Sequence, residues 1–280
     1  MYALPSRAIR LCNLIVTRLL FTSMLVLTAG CWARPDIPFD DVGSVDWSAV
    51  DAATERAAFE RLNTLNRDVF DQAWATLAPF AHSQSRSVSV RDEDGVVVGR
   101  ATRTIHISGP ASRRTIRVVA SDSSGSFERS LWSRFDNPGM SDVANEGLQM
   151  EWSDLVLPHE PLFLSDRGPS FFRYAVIGDT LIESLSVTIF EIAVRPETSR
   201  QGIQWAKIYL HEASLVGVEI LVTQRSTLYL EVSNFRIMLS PISSGEWLPR
   251  TVALSSTVGL PFARSRSFEM QVVYSDIREQ

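Results

Sequence analysis

The chain has 280 residues, of which 45% are hydrophobic and 21% charged, and its formal net charge is −5 at pH 7. Residues 1–30 hold three arginines and no acid, so the rest of the chain, residues 31–280, has a net charge of −8. This acidity argues against a nucleic-acid partner, and the remaining length is enough for one large domain with its own core.

The N-terminal 30 residues have the pattern of a secretory signal. Arg7, Arg10 and Arg18 precede the uncharged, mostly apolar run Leu19–Leu27. A basic start, a short apolar core and small residues at its end are typical of such signals. The core is too short to cross a bilayer, which takes about 20 apolar residues. The run ends in Leu27-Thr28-Ala29-Gly30-Cys31.

These last five residues resemble the bacterial lipobox, with Thr28 where that motif prefers leucine. The resemblance implies a diacylglyceryl group on Cys31 and a further acyl chain on its amine. Trp32 follows the cysteine, and by resemblance to the enterobacterial sorting rule this implies the periplasmic face of the outer membrane. Cys12 leaves with the signal, so the mature chain is expected to form no disulfide. The alternative is a plain signal peptide with Cys31 incidental.

The stretch after the cysteine predicts a tether and then a helix. Residues 31–46 combine prolines and acids without periodicity, which is typical of an extended linker. Ser48 and Asp51 fit a helix start, and apolar residues then recur every three or four positions. We predict one amphipathic helix, or two with a break near Asn66, ending around Pro79. The predicted units are a signal at 1–30, a tether at 31–46 and a single domain at 47–280.

Beyond His82 the hydrophobic period changes to two, which predicts strands. The first strand is predicted to start at Val88, and residues 121–126 are predicted to form a polar loop. Residues 133–170 hold four prolines and predict a long loop. From Phe171 onward successive strands are predicted, with a bulge where the apolar parity changes between Ile189 and Phe190. The predicted fold class is α+β, mainly antiparallel β: a strongly curved sheet or incomplete β-barrel with an N-terminal helix covering one face.

The order of these elements is similar to that of the LolA/LolB lipoprotein-carrier fold, an incomplete β-barrel closed by helices around an apolar cavity. The segments that carry the resemblance are Phe172–Thr180, Val194-Arg195-Pro196, Leu215–Ile220 and Gly245–Arg250. It extends over about Ser48 to Gln280 and implies binding of lipid or acyl chains. No binding residue is carried over by position. The outer-membrane receptor type of that family is itself lipidated, in agreement with Cys31.

The candidate lipid contacts have apolar or aromatic side chains in the long loop, in the last hairpin and on one strand. They are Leu162, Phe163, Leu164, Leu260, Phe262, Trp205 and Tyr209. Contiguous apolar groups at a surface mark ligand or membrane contacts, and a barrel mouth lined with aromatic residues suits an acyl chain. The alternative is that all of them fill an ordinary core.

The candidate headgroup ligands are three arginines near strand ends, Arg173, Arg195 and Arg250. A guanidinium group matches phosphate geometry, although pairing with neighbouring acids is the alternative. The four histidines do not follow a zinc-binding spacing, and no nucleophile elbow or phosphate-binding loop is present. We therefore expect no enzymatic activity, no cofactor and no metal.

The leading hypothesis is an outer-membrane lipoprotein, anchored through Cys31, that holds lipid or acyl chains in an apolar cavity as a carrier or acceptor. Its partners would be membrane lipid and a lipid or lipoprotein acyl chain. The alternative is a structural or assembly lipoprotein that docks onto an envelope protein complex.

Overall fold

The computed structural model describes residues 43–109, 113–125, 161–182, 185–198, 202–225, 230–259 and 266–279. All of them belong to one compact unit, Phe39–Gln280. The predicted signal, Cys31 and most of the predicted tether lie outside these residues. Leu260, Phe262 and residues 133–160 of the predicted long loop do so as well.

Two helices precede the strands. Helix α1 spans Ala52–Leu62, and the Asp51 carboxylate caps it by accepting a hydrogen bond from the Thr54 N–H at 2.7 Å. Helix α2 spans Asp68–Leu77 and buries its apolar side, which includes Phe70. The chain breaks between them around Asn66, whose backbone pairs with residues at the β6–β7 turn. Of the two alternatives that the sequence left open, one helix or two with a break near Asn66, the structure has the second.

Ten strands follow in one antiparallel sheet with the order β3-β2-β1-β10-β9-β8-β7-β6-β5-β4. Their bounds are Ala81–Arg91, Val97–Ser108, Thr115–Gly125, Phe172–Ile182, Leu185–Val194, Gly202–His211, Ser214–Arg225, Leu230–Pro241, Trp247–Gly259 and Arg266–Arg278 for β1 to β10. Among the described strands, β1 and β10 are the one neighbouring pair that is not consecutive in the chain. Strands β3 and β4 are the two edges, so the sheet is open and not a closed barrel.

Three strand predictions are corrected. Strand β1 starts at Ala81, seven residues before the predicted Val88, because its polar first half pairs with both β2 and β10. The predicted polar loop at 121–126 is strand as far as Gly125, because β2 supplies pairing partners whatever the side chains are. The predicted long strand with a bulge after Ile189 is instead the hairpin β4–β5.

The core lies on the sheet face that the helices cover, here called the helix face. Residues paired across neighbouring strands share a face, and the row Phe190, Ile208, Val218, Ile237 and Val252 is buried there. Helix α1 lies along β4, α2 lies over β7 and β9, and both contribute to this cluster. The opposite face carries a small second cluster of Val187, Tyr209, Val216 and Met238.

Candidate functional site

The apolar turn Leu162-Phe163-Leu164 closes one end of the core. Phe163 is fully buried and packs edge-on against Phe172, with ring centroids 6.1 Å apart. The Tyr174 hydroxyl donates a hydrogen bond to the Phe163 carbonyl at 2.7 Å. Burial raises the pKa of Tyr174, and the nearby Arg195 opposes this rise. Leu164 packs against the core, and Leu162 stays 44% exposed.

Trp205 and Tyr209 lie on the opposite face of the sheet. Each is buried and alternates along β6 with Ala206 and Ile208, which belong to the core. Burial raises the pKa of Tyr209, with Glu219 adding to the rise and Arg236 opposing it. The structure therefore does not bring these two aromatic residues together with Phe163.

Two of the predicted headgroup arginines are bound to an acid of α1. The Glu55 carboxylate is buried and accepts from Arg173 Nε at 2.6 Å and from Arg195 Nη2 at 2.8 Å. Arg173 also stacks on the ring of Trp47. Arg250 is exposed, and its Nη1 donates to the Tyr274 carbonyl at 3.0 Å. Arg173 and Arg195 thus hold the start of α1 against the edge strand β4.

The segment before α1 is a strap on the opposite face, residues 43–50. The Ser44 N–H and hydroxyl both donate to Glu191 Oε2 at 2.9 Å, and Glu191 is completely buried. A Cβ added at Gly43 would lie 2.4 Å from Glu191 Oε1, so a larger residue here would require the Glu191 carboxylate to shift. Further along, the Val50 carbonyl accepts from Arg173. The strap therefore leads from the opposite face to the edge of the sheet where α1 begins.

An apolar strip continues the helix face beyond the core. Its members, Val88, Met270, Leu254 and Phe235, are paired in register across β1, β10, β9 and β8. Phe235 pairs with the core residue Ile220, so the strip and the core share a face. Val88, Met270 and Leu254 belong to neither of the two buried clusters described here. Val88 and Leu254 are partly exposed, whereas Met270 is only 8% exposed.

Beside the strip, β1 carries a chain of polar side chains. His82 Nδ1 lies 3.1 Å from the Phe80 carbonyl, and its Nε2 lies 3.2 Å from Gln84 Nε2. Gln84 Oε1 accepts from Arg86 Nε at 3.2 Å and from Nη2 at 2.7 Å. His82 and Gln84 are buried. These residues were not among the predicted site residues, although a period of two from residue 82 to residue 90 places all of them on one face.

The two clefts described lie at the end of the sheet near the β8–β9 turn. One has a volume of about 440 Å³ and is lined by residues that include Phe80, Ile242 and Ile277. The other, of about 250 Å³, includes Arg250 in its lining. Neither is lined by a predicted lipid-contact residue. Among the described residues, no cluster of His, Cys, Asp or Glu is placed to hold a metal ion. None of the described helices has the length and apolar character needed to cross a bilayer.

Comparison with known proteins gives structural likenesses alone. No family model and no curated protein matches the chain. A protein of the DUF1329 family from Desulfovibrio piger is 12% identical, with a TM-score of 0.23, over 81% of this chain and 93% of the other. A putative outer membrane lipoprotein-sorting protein domain from Vibrio parahaemolyticus is also 12% identical over the same shares, with a TM-score of 0.26.

A LolA superfamily protein from Nitrosomonas europaea is 9% identical, with a TM-score of 0.21, over 81% of this chain and 94% of the other. TM-scores this far below 0.5 carry no argument about function.

Proposed function

We propose that this protein is a lipoprotein, anchored through Cys31 at the periplasmic face of the outer membrane, that binds lipid or acyl chains as a carrier or acceptor. The observation that carries the binding proposal is the apolar strip. It extends the helix face from the core residue Ile220 through Phe235 and Leu254 to Met270 and Val88. The proposed ligand lies along these side chains.

The strip suits an acyl chain because its members are apolar and follow one another across four adjacent strands. Neighbouring strands are about 4.8 Å apart, so the strip is roughly 15 Å long. Burial of each CH₂ group contributes about 0.8 kcal/mol, and this attraction has no directional requirement. Binding needs neither a cofactor nor a reacting group.

Native mass spectrometry of the mature chain carrying Cys31→Ser tests this binding. We expect adducts with the mass of lipid in protein purified without detergent, or after addition of a fatty acid. Leu254→Gln, which puts an amide into the strip, is expected to reduce the adduct severalfold. Ala253→Gln is the matched control, because Ala253 is next to Leu254 on β9 but its side chain lies on the opposite face of the sheet. Bare polypeptide under all conditions would contradict the proposal.

The anchor has a separate test, since Cys31 lies outside the described residues. Cells that express the protein are fed an alkyne-tagged palmitate, and the protein is then isolated. We expect label on the wild type and none on Cys31→Ser, with the wild type in the outer-membrane fraction. An unmodified N-terminus at another residue would support the plain signal peptide instead.

A second candidate function is docking onto an envelope protein complex, and the exposed edge strand β4 favours it. Val176, Ile177 and Leu181 are large apolar residues on this strand, and Leu181 is 72% exposed. Unpaired strand edges with apolar side chains are sites where another chain can add. Leu181→Lys would then abolish recovery of a crosslinked partner, whereas Val97→Lys, at a residue also exposed but on β2, would not.

A further inference from the structure

Arg86 lies on the helix face next to the apolar strip. It lies two residues after Gln84 and two before Val88 on β1. The three side chains therefore lie on one face, each roughly 7 Å from the next. It is paired in register with Val272 on β10 and with Arg103 on β2. Its partners in register are thus one apolar residue and a second cation, and Tyr274 on β10 lies close enough to interact with its charge.

The polar chain on β1 fixes the orientation of Arg86. A guanidinium only donates, so Gln84 must present its carbonyl oxygen to Arg86 and its amide N–H to His82. The acceptor on His82 is then Nε2, and its proton sits on Nδ1 and faces the Phe80 carbonyl. This assignment follows from the network of hydrogen bonds. These bonds use Nε and Nη2 of Arg86, and among the described residues no hydrogen bond of its Nη1 is found.

Among the described residues, no acid neutralises the charge of Arg86. In the ranges that the structure describes, its hydrogen bonds go to the neutral Gln84 amide, and no carboxylate forms an ion pair with it. Burial lowers the pKa of Arg86, Arg103 lowers it further, and Tyr274 opposes both. Arg103 has interactions of its own. A partly buried cation held by one neutral amide gains from an anionic partner.

We propose that Arg86 binds the anionic head, a carboxylate or a phosphate, of an amphiphile whose apolar chain lies on the strip of Val88, Met270 and Leu254. The head meets Arg86 on β1, and the chain runs from Val88 towards Phe235 on β8. This inference rests on the proposed function and names the ligand class as a single-chain or phospholipid anion. Gln84 and His82 act as positioning residues for the guanidinium.

Calorimetric titration of the mature Cys31→Ser chain with three probes tests the site at pH 8. The probes are dodecanoate, its neutral glycerol monoester and inorganic phosphate. We expect dodecanoate to bind at least tenfold more tightly than the ester, and phosphate not to compete at millimolar concentration. Arg86→Gln should remove this preference and leave ester binding unchanged. Arg100→Gln, an equal change of charge at an exposed residue on the opposite face of β2, should keep the preference.

A measurement on the wild type does not depend on how well the variants fold. Raising NaCl from 0.05 to 0.5 M should weaken dodecanoate binding severalfold and leave the ester unaffected, since salt screens a partly exposed charge. Equal binding of acid and ester, with no effect of Arg86→Gln, would overturn the Arg86 site and leave acyl-chain binding intact. Binding of neither probe would overturn the proposed function and the site with it. Tight binding of phosphate alone would show that the site binds a free anion, and it would overturn the proposal that the ligand is an amphiphile.

Discussion

Glu55 determines the role of two arginines that the sequence offers as lipid ligands. Arg173 and Arg195 come from β4 and from the end of β5, and both donate to its carboxylate from the edge of the sheet. Arg195 Nε also donates to the Pro169 carbonyl at 3.0 Å. These contacts tie α1, β4 and the turn before β4 into one joint. Pairing with a neighbouring acid was the alternative expected from the sequence, and the structure contains it for both arginines.

Glu55→Gln should therefore lower the free energy of unfolding by about 2 kcal/mol. The change leaves two partly buried cations without their counter-charge, which costs less than in a fully buried pair. Urea unfolding followed by circular dichroism measures the effect. Glu60→Gln, at an exposed position of the same helix, is the control and should stay within about 0.5 kcal/mol of the wild type. An equal effect of both variants would refute the role of the joint.

His82 gives the fold a pH dependence of known sign. Burial lowers its pKa, Arg114 and His106 lower it further, and the Phe80 carbonyl opposes them. In the unfolded chain a histidine titrates near pH 6.5, so on acidification the unfolded state takes up the proton first. The stability from neutral His82 is complete above about pH 6.5 and is lost as the pH falls below it.

The measurement is the urea midpoint of the wild type and of His82→Gln at several pH values between 8 and 5. Because the variant lacks the group, the wild type should lose stability more steeply below pH 6.5, and the two curves should converge. Protonated His82 also has no acceptor for the Gln84 amide N–H. The hydrogen bonds through which Gln84 orients Arg86 should therefore weaken over the same pH range. Curves that stay parallel over the whole range would contradict this account.

At the scale of elements, the turn before β4 closes one end of the core. Gly168 allows it, because a Cβ there would lie 2.4 Å from the Tyr174 hydroxyl and 2.9 Å from the Phe163 carbonyl. Tyr174→Phe removes a buried hydrogen bond and leaves the Phe163 carbonyl without that donor. We expect a loss of about 1–2 kcal/mol in urea unfolding.

Gly168→Ala should weaken the same contact by steric displacement and should not add fully to Tyr174→Phe in the double variant. A double variant whose loss equals the sum of the two single losses would show that the glycine and the hydroxyl act independently.

The sequence predicted those elements whose burial is one-sided. Helices α1 and α2 and the later strands follow from period and turn residues, because each presents a single apolar face to the core. Strand β5 was predicted wrongly, because Val187 and Phe190 are buried on different faces. The strand therefore lacks the alternation of apolar and polar residues that a single buried face produces. The polar ends of β1 and β3 could not be predicted, because they owe their strand conformation to partners far along the chain.

The candidate site was predicted only as a class of side chains. Apolar contacts in a half-barrel-like sheet were expected, but the residues chosen were split between the core, the opposite face and the joint at Glu55. The strip of Val88, Met270 and Leu254 escaped notice, because its members are close only through pairings between β1, β10 and β9. Arg86 escaped because a lone arginine among serines has no motif.

At the scale of the whole described unit, the two faces of the sheet differ in what covers them. The helix face carries the core and, beyond it, the strip and Arg86. The opposite face carries a small apolar cluster and a cross-strand row of charged residues, Glu191, Lys207, Glu219 and Arg236, with the strap lying on Glu191. Ligand binding is therefore proposed for the helix face, and the strap lies on the other face.

Photo-crosslinking tests this assignment most directly. The mature Cys31→Ser chain is irradiated with a fatty acid that carries a diazirine in its chain, and the labelled peptides are mapped by mass spectrometry. The account predicts label on peptides that contain Val88, Leu254 or Met270, and its loss when unlabelled dodecanoate competes. Label confined to the opposite face around Tyr209 and Met238, or no label that dodecanoate displaces, would contradict it.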